Sequence, residues 1–198
     1  MPKPRLIVGI SGASGIIYGV RLLEMLRGTE VETHLVVSRA GELTRSHELD
    51  LSAEQLHALA DVHYADTDLA AAISSGSFRT LGMVIIPCSM RSLAEVASGV
   101  TTSLLTRAAD VVLKERRRLV LVTRETPLNA IHLRNMLTVT EAGGIIAPPM
   151  PAFYTAPKTL DDLVTQTVGR VLDLFDVDAA GLKRWGEQIG PRRERRSR

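Results

Sequence analysis

Five short, mostly apolar runs, each followed by a helical pattern, leave this chain very few ways to fold. The runs are residues 5–10, 32–37, 83–86, 119–122 and 144–147. Helical periodicity falls over Ile16 to Leu26, where Leu22, Leu23 and Leu26 share a face, and over Thr102 to Arg116, Ala130 to Ala142 and Leu160 to Phe175. A shorter helix is expected near Leu93 to Ala97, and residues 40–60 read as helical with an interruption near Asp50-Leu51-Ser52. The small, polar stretch from Asp61 to Thr80 reads as a long loop with short helical pieces. Apolar strands alternating with helices predict a parallel sheet covered on both faces. The expected fold class is therefore α/β, a single doubly wound domain over residues 1–190 with no linker and no repeat.

Composition narrows the setting. A chain of 198 residues with 45% hydrophobic and 23% charged residues is long enough to bury a proper core. No apolar run approaches a membrane span, and the N-terminus leads straight into a strand, so neither a membrane anchor nor a signal peptide is expected. One cysteine excludes an internal disulfide framework and suits a cytoplasmic location. The net charge of +2 is uneven, because residues 191–198 hold five arginines against one glutamate. Of 24 basic and 22 acidic residues, the rest of the chain keeps 19 and 21. Nucleic-acid binding would rest on that basic tail alone, so the tail is read as a solvated end.

Ligands of open parallel sheets bind beyond the carboxyl ends of the strands. Those ends carry Gly12-Ala13-Ser14, Ser38, Ser89, Arg124-Glu125 and a proline-rich segment leading to Tyr154. Small residues before a helix allow backbone N–H groups to face an anion, so the first of these ends reads as an anion cradle. Its glycines stand at 9, 12 and 15, which is not the G-x-G-x-x-G dinucleotide spacing, and no acid follows the second strand to hold a ribose. Arg39 keeps a 2′-phosphate open, but the set of ends favours a mononucleotide such as FMN. Arg124, directly after a buried strand, must pair or bind an anion, with Glu125 as the nearest partner. Arg107 and Lys114 share a helix face, and Asp110 is placed to pair with Lys114. The five histidines and Cys88 have no metal-ligand spacing, so no metal is expected.

Longer motifs resemble one family. Ile10-Ser11-Gly12-Ala13-Ser14-Gly15 with Tyr18-Gly19 is similar to the opening of the UbiX-type flavin prenyltransferases, which include small B subunits of phenolic-acid decarboxylase systems. The similarity continues in order through Ser75-Gly76-Ser77-Phe78, Pro87-Cys88-Ser89, Leu105 to Val111, Leu113 to Arg117, Arg124 to Pro127, His132 to Met136 and Pro151 to Tyr154. The resemblance covers roughly residues 5–187.

It implies a flavodoxin-like or Rossmann-like fold and a transferase that joins a dimethylallyl group from dimethylallyl phosphate to N5 and C6 of reduced FMN. The prenylated FMN product would pass to a UbiD-type decarboxylase. It further implies a homo-oligomer, typically a dodecamer. By matching motif, Gly12, Ala13, Ser14, Ser38, Ser89, Met90, Arg91, Ser92 and Arg124 would bind FMN. Lys114, Arg124, Tyr154 and Arg170 would hold the dimethylallyl phosphate. Ser14, Glu48, Glu125 and Lys114 would be the catalytic set. Fixed cations suit a leaving phosphate, and a hydroxyl and carboxylates suit proton transfer.

Two features depart from the pattern. Residues 65–80 carry only Phe78 as an aromatic, where some members have a tryptophan, and the sole tryptophan is Trp185 in the C-terminal signature. Two other functions remain open on the residues: an FMN-dependent cysteine decarboxylase, although Asn135-Met136 lacks a following tryptophan, and a non-catalytic flavin carrier serving a decarboxylase.

Overall fold

The apolar runs pair side by side into one parallel sheet. The computed structural model describes residues 3–178 and 181–190. Its strands are β1 (Arg5–Ile10), β2 (Glu32–Val37), β3 (Val62–Ala65), β4 (Gly82–Cys88), β5 (Arg118–Thr123) and β6 (Ile145–Ile146). The helices are α1 (Ile16–Leu26), α2 (Arg39–Glu48), α3 (Ala53–His57), α4 (Met90–Ser98), α5 (Leu104–Lys114), α6 (Ala130–Glu141) and α7 (Leu160–Asp173). All strand pairs are parallel, in the order β3-β2-β1-β4-β5-β6. This is the doubly wound order, and the chain reverses its winding between β1 and β4. The expected basic tail lies outside the described residues.

Alternation along each strand builds two apolar layers. Leu6, Val8, Ile10, Val84, Ile86, Val120 and Val122 face α1 and α7, while Ile7, Met83, Ile85, Leu119 and Leu121 face α4 and α5. Truncating any of the fully buried leucines to alanine would cost about 2–5 kcal/mol. No helix among the described residues is long and apolar enough to cross a membrane.

The stretch expected to be a loop contains β3, which pairs with β2 from His34↔Val62 to Val37↔Ala65. It is four residues long and lies at the sheet edge, so half of its side chains meet solvent and no apolar run marks it. The interruption near Asp50 divides α2 from α3, and Ser52 opens the second helix with a reciprocal capping box to Gln55.

Polar groups gather at the amino ends of the strands. His34, only 3% exposed, contacts the Tyr64 hydroxyl at 3.0 Å and the Glu32 carboxylate at 2.7 Å. Arg5 pairs with Glu32 at 3.0 Å and lies over the Phe78 ring. Helix α6 is the exception to good burial. It buries only Val139 and leaves Ile131, Leu133 and Leu137 more than half exposed.

Candidate functional site

Three helices begin around one cavity at the carboxyl edge of the sheet. Ser38, Ser89 and Ser103 are the N-cap residues of α2, α4 and α5, and all three line a cavity of about 420 Å³. Serine suits these positions because its hydroxyl accepts a first-turn N–H: Ser38 from Gly41 at 3.0 Å and Ser89 from Ser92 at 3.3 Å. Other first-turn N–H groups of α2 and α4 are left for a ligand or solvent, and both helices present a positive dipole end. Gly12 forms part of the wall. A Cβ there would collide with the Ala40 side chain and lie 3.0 Å from its carbonyl carbon, so only glycine lets α2 come this close.

Ser11 fixes the crevice at the winding reversal. Its hydroxyl donates to the Pro87 carbonyl at 3.0 Å and accepts from the Ser89 N–H at 2.8 Å. The ends of β1 and β4 are thereby tied together, and the α4 cap is held in place. Ser11 is 1% exposed, so its two buried bonds are satisfied rather than orphaned.

The anion expected in the first loop is the chain's own. Glu48, at the last turn of α2, accepts the Gly15 N–H at 2.9 and 3.1 Å and the Ile16 N–H at 3.0 Å. Gly15 caps α1 with φ 106°, a left-handed backbone that favours glycine. Burial works against the Glu48 charge, but hydrogen bonds from Ser14, Gly15 and Ile16 and the charge of Arg124 prevail, so its pKa lies below the ordinary carboxylate value. This corrects the cradle expectation. A carboxylate at the start of α1 satisfies the orphan N–H groups that a ligand phosphate would use, which leaves the α2 and α4 starts for an external anion.

Arg124 follows β5 and is exposed, so the expected penalty of a buried guanidinium does not arise. It forms no ion pair among the described residues, and the Glu125 carboxylate accepts the Thr126 N–H at 3.0 Å instead. Arg124 is close enough for its charge to act on both Glu48 and Tyr18. Burial raises the Tyr18 pKa, and the Arg124 charge opposes that rise.

The structure thus brings together Gly12, Ala13, Ser14, Ser38, Glu48, Ser89, Met90, Arg91, Ser92, Arg124 and Glu125 at the carboxyl edge. It separates three predicted residues from them. Lys114 ends α5 at the opposite, amino edge, where it pairs with Glu115 and stands 2.8 Å from where a Cβ on Gly76 would lie. The predicted Asp110–Lys114 pair is replaced by Arg107–Asp110 at 2.7 Å. A six-residue strand spans about 20 Å, so Lys114 cannot reach the Ser14–Arg124 group of its own chain. Tyr154 lies on the segment before α7, in an edge contact with Trp185, and Arg170 pairs along α7 with Asp173 at 2.6 Å.

Sequence reasoning missed part of the cavity wall. Asp66 accepts the Leu105 N–H at 3.0 Å and so caps α5, while Glu95 accepts from Thr102 at 2.7 Å and Arg91 at 2.9 Å. Thr106 lines the same wall. Asp66 follows the overlooked strand β3, which is why it was not placed. Cys88 is fully buried and its thiol is pushed up to about 12, which removes it as a nucleophile at neutral pH. No group of three or more His, Cys, Asp or Glu side chains able to hold a metal occurs among the described residues.

A parallel sheet with small, hydroxyl-bearing strand ends and helix starts around a mononucleotide-sized cavity is the arrangement a flavoprotein needs. Residues 1–172 match the family model described as Flavoprotein. The chain is 60% identical over 174 residues to the flavin prenyltransferase UbiX of Escherichia coli K12, covering 87% of this chain and 92% of that protein. The solved structure of AnUbiX in complex with FMN and dimethylallyl pyrophosphate superposes with a TM-score of 0.91 at 52% identity, covering 92% and 97% of the two chains. A dodecameric FMN-dependent UbiX-like decarboxylase from Escherichia coli O157:H7 gives 0.90 at 52% identity, over 91% and 98%. The chain belongs to the UbiX-type flavin prenyltransferase family.

Proposed function

We propose that this protein joins a dimethylallyl group from dimethylallyl phosphate to reduced FMN. The observation that carries this is Arg124: an exposed guanidinium without an ion pair among the described residues, whose charge acts on Glu48 at the same sheet edge as a cavity whose size suits FMN. FMN fits the residues present. Gly12, Ala13, Ser14, Ser38, Ser89, Met90, Arg91 and Ser92 would hold it, with its phosphate at the serine-capped starts of α2 and α4. When bound and reduced, it supplies the N5 and C6 positions that accept the prenyl group.

The chain's own groups then do the positioning. Glu48 stays ionised at neutral pH because its pKa is lowered, and as a fixed anion beside Ser14 it would balance a proton's charge on that hydroxyl when the hydroxyl serves the flavin. Ser14 is the proton carrier in this arrangement, and Glu48 is the fixed anion behind it. Arg124 stabilises the charge that develops on the departing phosphate, with Glu125 as a second proton acceptor and with Tyr154 and Arg170, set apart from Arg124 within one chain, as further phosphate partners contributed by a neighbouring copy.

Lys114 joins this set only from another subunit. It stands at the amino edge of a parallel sheet whose flavin groups stand at the carboxyl edge. Head-to-tail contact between copies would bring the two together. The uncovered apolar face of α6 supports association, and a relative of 52% identity is dodecameric. The product would pass to a UbiD-type decarboxylase.

Anaerobic incubation with reduced FMN and dimethylallyl phosphate is expected to yield a flavin heavier by one C5 unit. Recovery of unmodified FMN alone would refute the reading. A carrier without catalysis would bind FMN equally well but leave its mass unchanged.

A further inference from the structure

One segment, residues 181–190, touches Tyr154 directly and is linked to Arg170 through Asp173. Trp185 meets Tyr154 edge to face, with ring centroids 5.8 Å apart. Lys183 donates from Nζ to the Thr155 carbonyl at 3.2 Å, so it grips the turn that carries Tyr154. Asp173 accepts from Arg170 at 2.6 Å through one oxygen and from Arg184 at 2.5 Å through the other.

Something must hold this segment, because it has no regular structure of its own beyond a single bridge between Trp185 and Ile189. Gln166 of α7 does so. It is 3% exposed, its amide nitrogen donates to the Lys183 carbonyl at 2.9 Å, and its amide oxygen accepts the Lys183 N–H at 3.1 Å. The amide thus pairs both backbone groups of one residue, as a neighbouring strand would. Leu182 is buried against Gly169, with its side chain within 3.1–3.2 Å of where a Cβ on that glycine would lie. A larger residue at 169 would push the segment off the helix.

We infer that Gln166 and Asp173 are positioning residues for the prenyl-phosphate subsite: Gln166 sets Tyr154 through Lys183 and Trp185, and Asp173 holds Arg170 and Arg184 at a common carboxylate. The inference rests on the assignment of Tyr154 and Arg170 above. Neither residue belongs to the FMN wall, so their effects should separate prenyl-donor binding from flavin binding.

The test uses Gln166→Leu, Gln166→Glu and Asp173→Asn in the full chain. Trp185 is the only tryptophan, so its emission in the flavin-free protein reports this segment alone. Trp185 is already 63% exposed, so Gln166→Leu is expected to lower its emission anisotropy as the segment loosens, and to raise KM for dimethylallyl phosphate about five- to tenfold, as for one or two lost hydrogen bonds. The FMN Kd and kcat should stay within about twofold. Gln166→Glu keeps the acceptor for the Lys183 N–H and should fall between Leu and the wild type. Asp173→Asn should raise the same KM without the full loss of anisotropy, and it tests the inference independently if the Leu variant folds poorly. An unchanged KM in all three variants would overturn it, as would a parallel loss of FMN affinity. If the wild type forms no prenylated flavin, the functional reading itself fails, and the donor-binding role falls with it.

Discussion

The two carboxylate oxygens of Glu48 lie 2.9 and 3.1 Å from the backbone nitrogen of Gly15, so the end of one helix closes the start of another. The contact makes α2 a bridge: Ser38 at its beginning meets the cavity, and Glu48 at its end meets Ser14.

Glu48→Gln should keep the shape of that contact and lose its charge. Because the folded pKa lies below the ordinary 4.5, the charge stabilises the fold at pH above 4.5, and the contribution disappears as pH falls through the folded value. The Tm difference between wild type and variant is therefore expected to be largest near neutral pH and to vanish in acid. A difference that persists at low pH would show that shape, not charge, matters there.

Gly12→Ala places a methyl group against Ala40. Overpacking of this kind costs about 1–3 kcal/mol. Since α2 must retreat and carry Ser38 with it, FMN affinity should fall at least tenfold, measured by flavin fluorescence quenching, while the protein remains folded by circular dichroism.

Arg124→Met should leave stability within about 0.5 kcal/mol, because the side chain is exposed and makes no ion pair among the described residues. Product formation should fall far more than Tm. A large drop in Tm would mean that Arg124 is a structural residue.

Arg124→Met and Lys114→Met chains are each expected to be inactive alone. Mixed by co-expression, they should recover roughly a quarter of wild-type activity, since randomly paired subunits regenerate sites with both cations intact. No recovery would place both residues in a single-chain site and contradict the separation of the two sheet edges.

His34 gives a pH test away from the flavin. Burial lowers its pKa more than Glu32 can raise it, so the folded protein favours the neutral imidazole. Stability should be full above pH 6.5 and decline as pH falls from there, as the unfolded chain takes up the proton first. His34→Phe should flatten that part of the profile.

The sheet was legible because β1, β4 and β5 are buried on both faces and wrote uninterrupted apolar runs. β3 was not, because an edge strand that alternates half-buried and exposed residues looks like a polar loop. The site was partly legible for the same reason. Ser38, Ser89 and Arg124 follow directly from strands, and their positions come with the fold. Asp66 follows the hidden strand, and Glu48 is the tenth and last residue of its helix, so nothing local shows that it curls back to Gly15. For Lys114 the motif was visible, but the sheet edge to which α5 delivers it was not.

The polarity of a parallel sheet has a kinetic consequence. Under the proposed roles, with flavin groups at one edge and Lys114 at the other, no chain would hold a complete set, and the number of working sites would depend on how many neighbours have docked. Activity per subunit would then rise with protein concentration until assembly is complete. Dilution would switch the enzyme off without unfolding it.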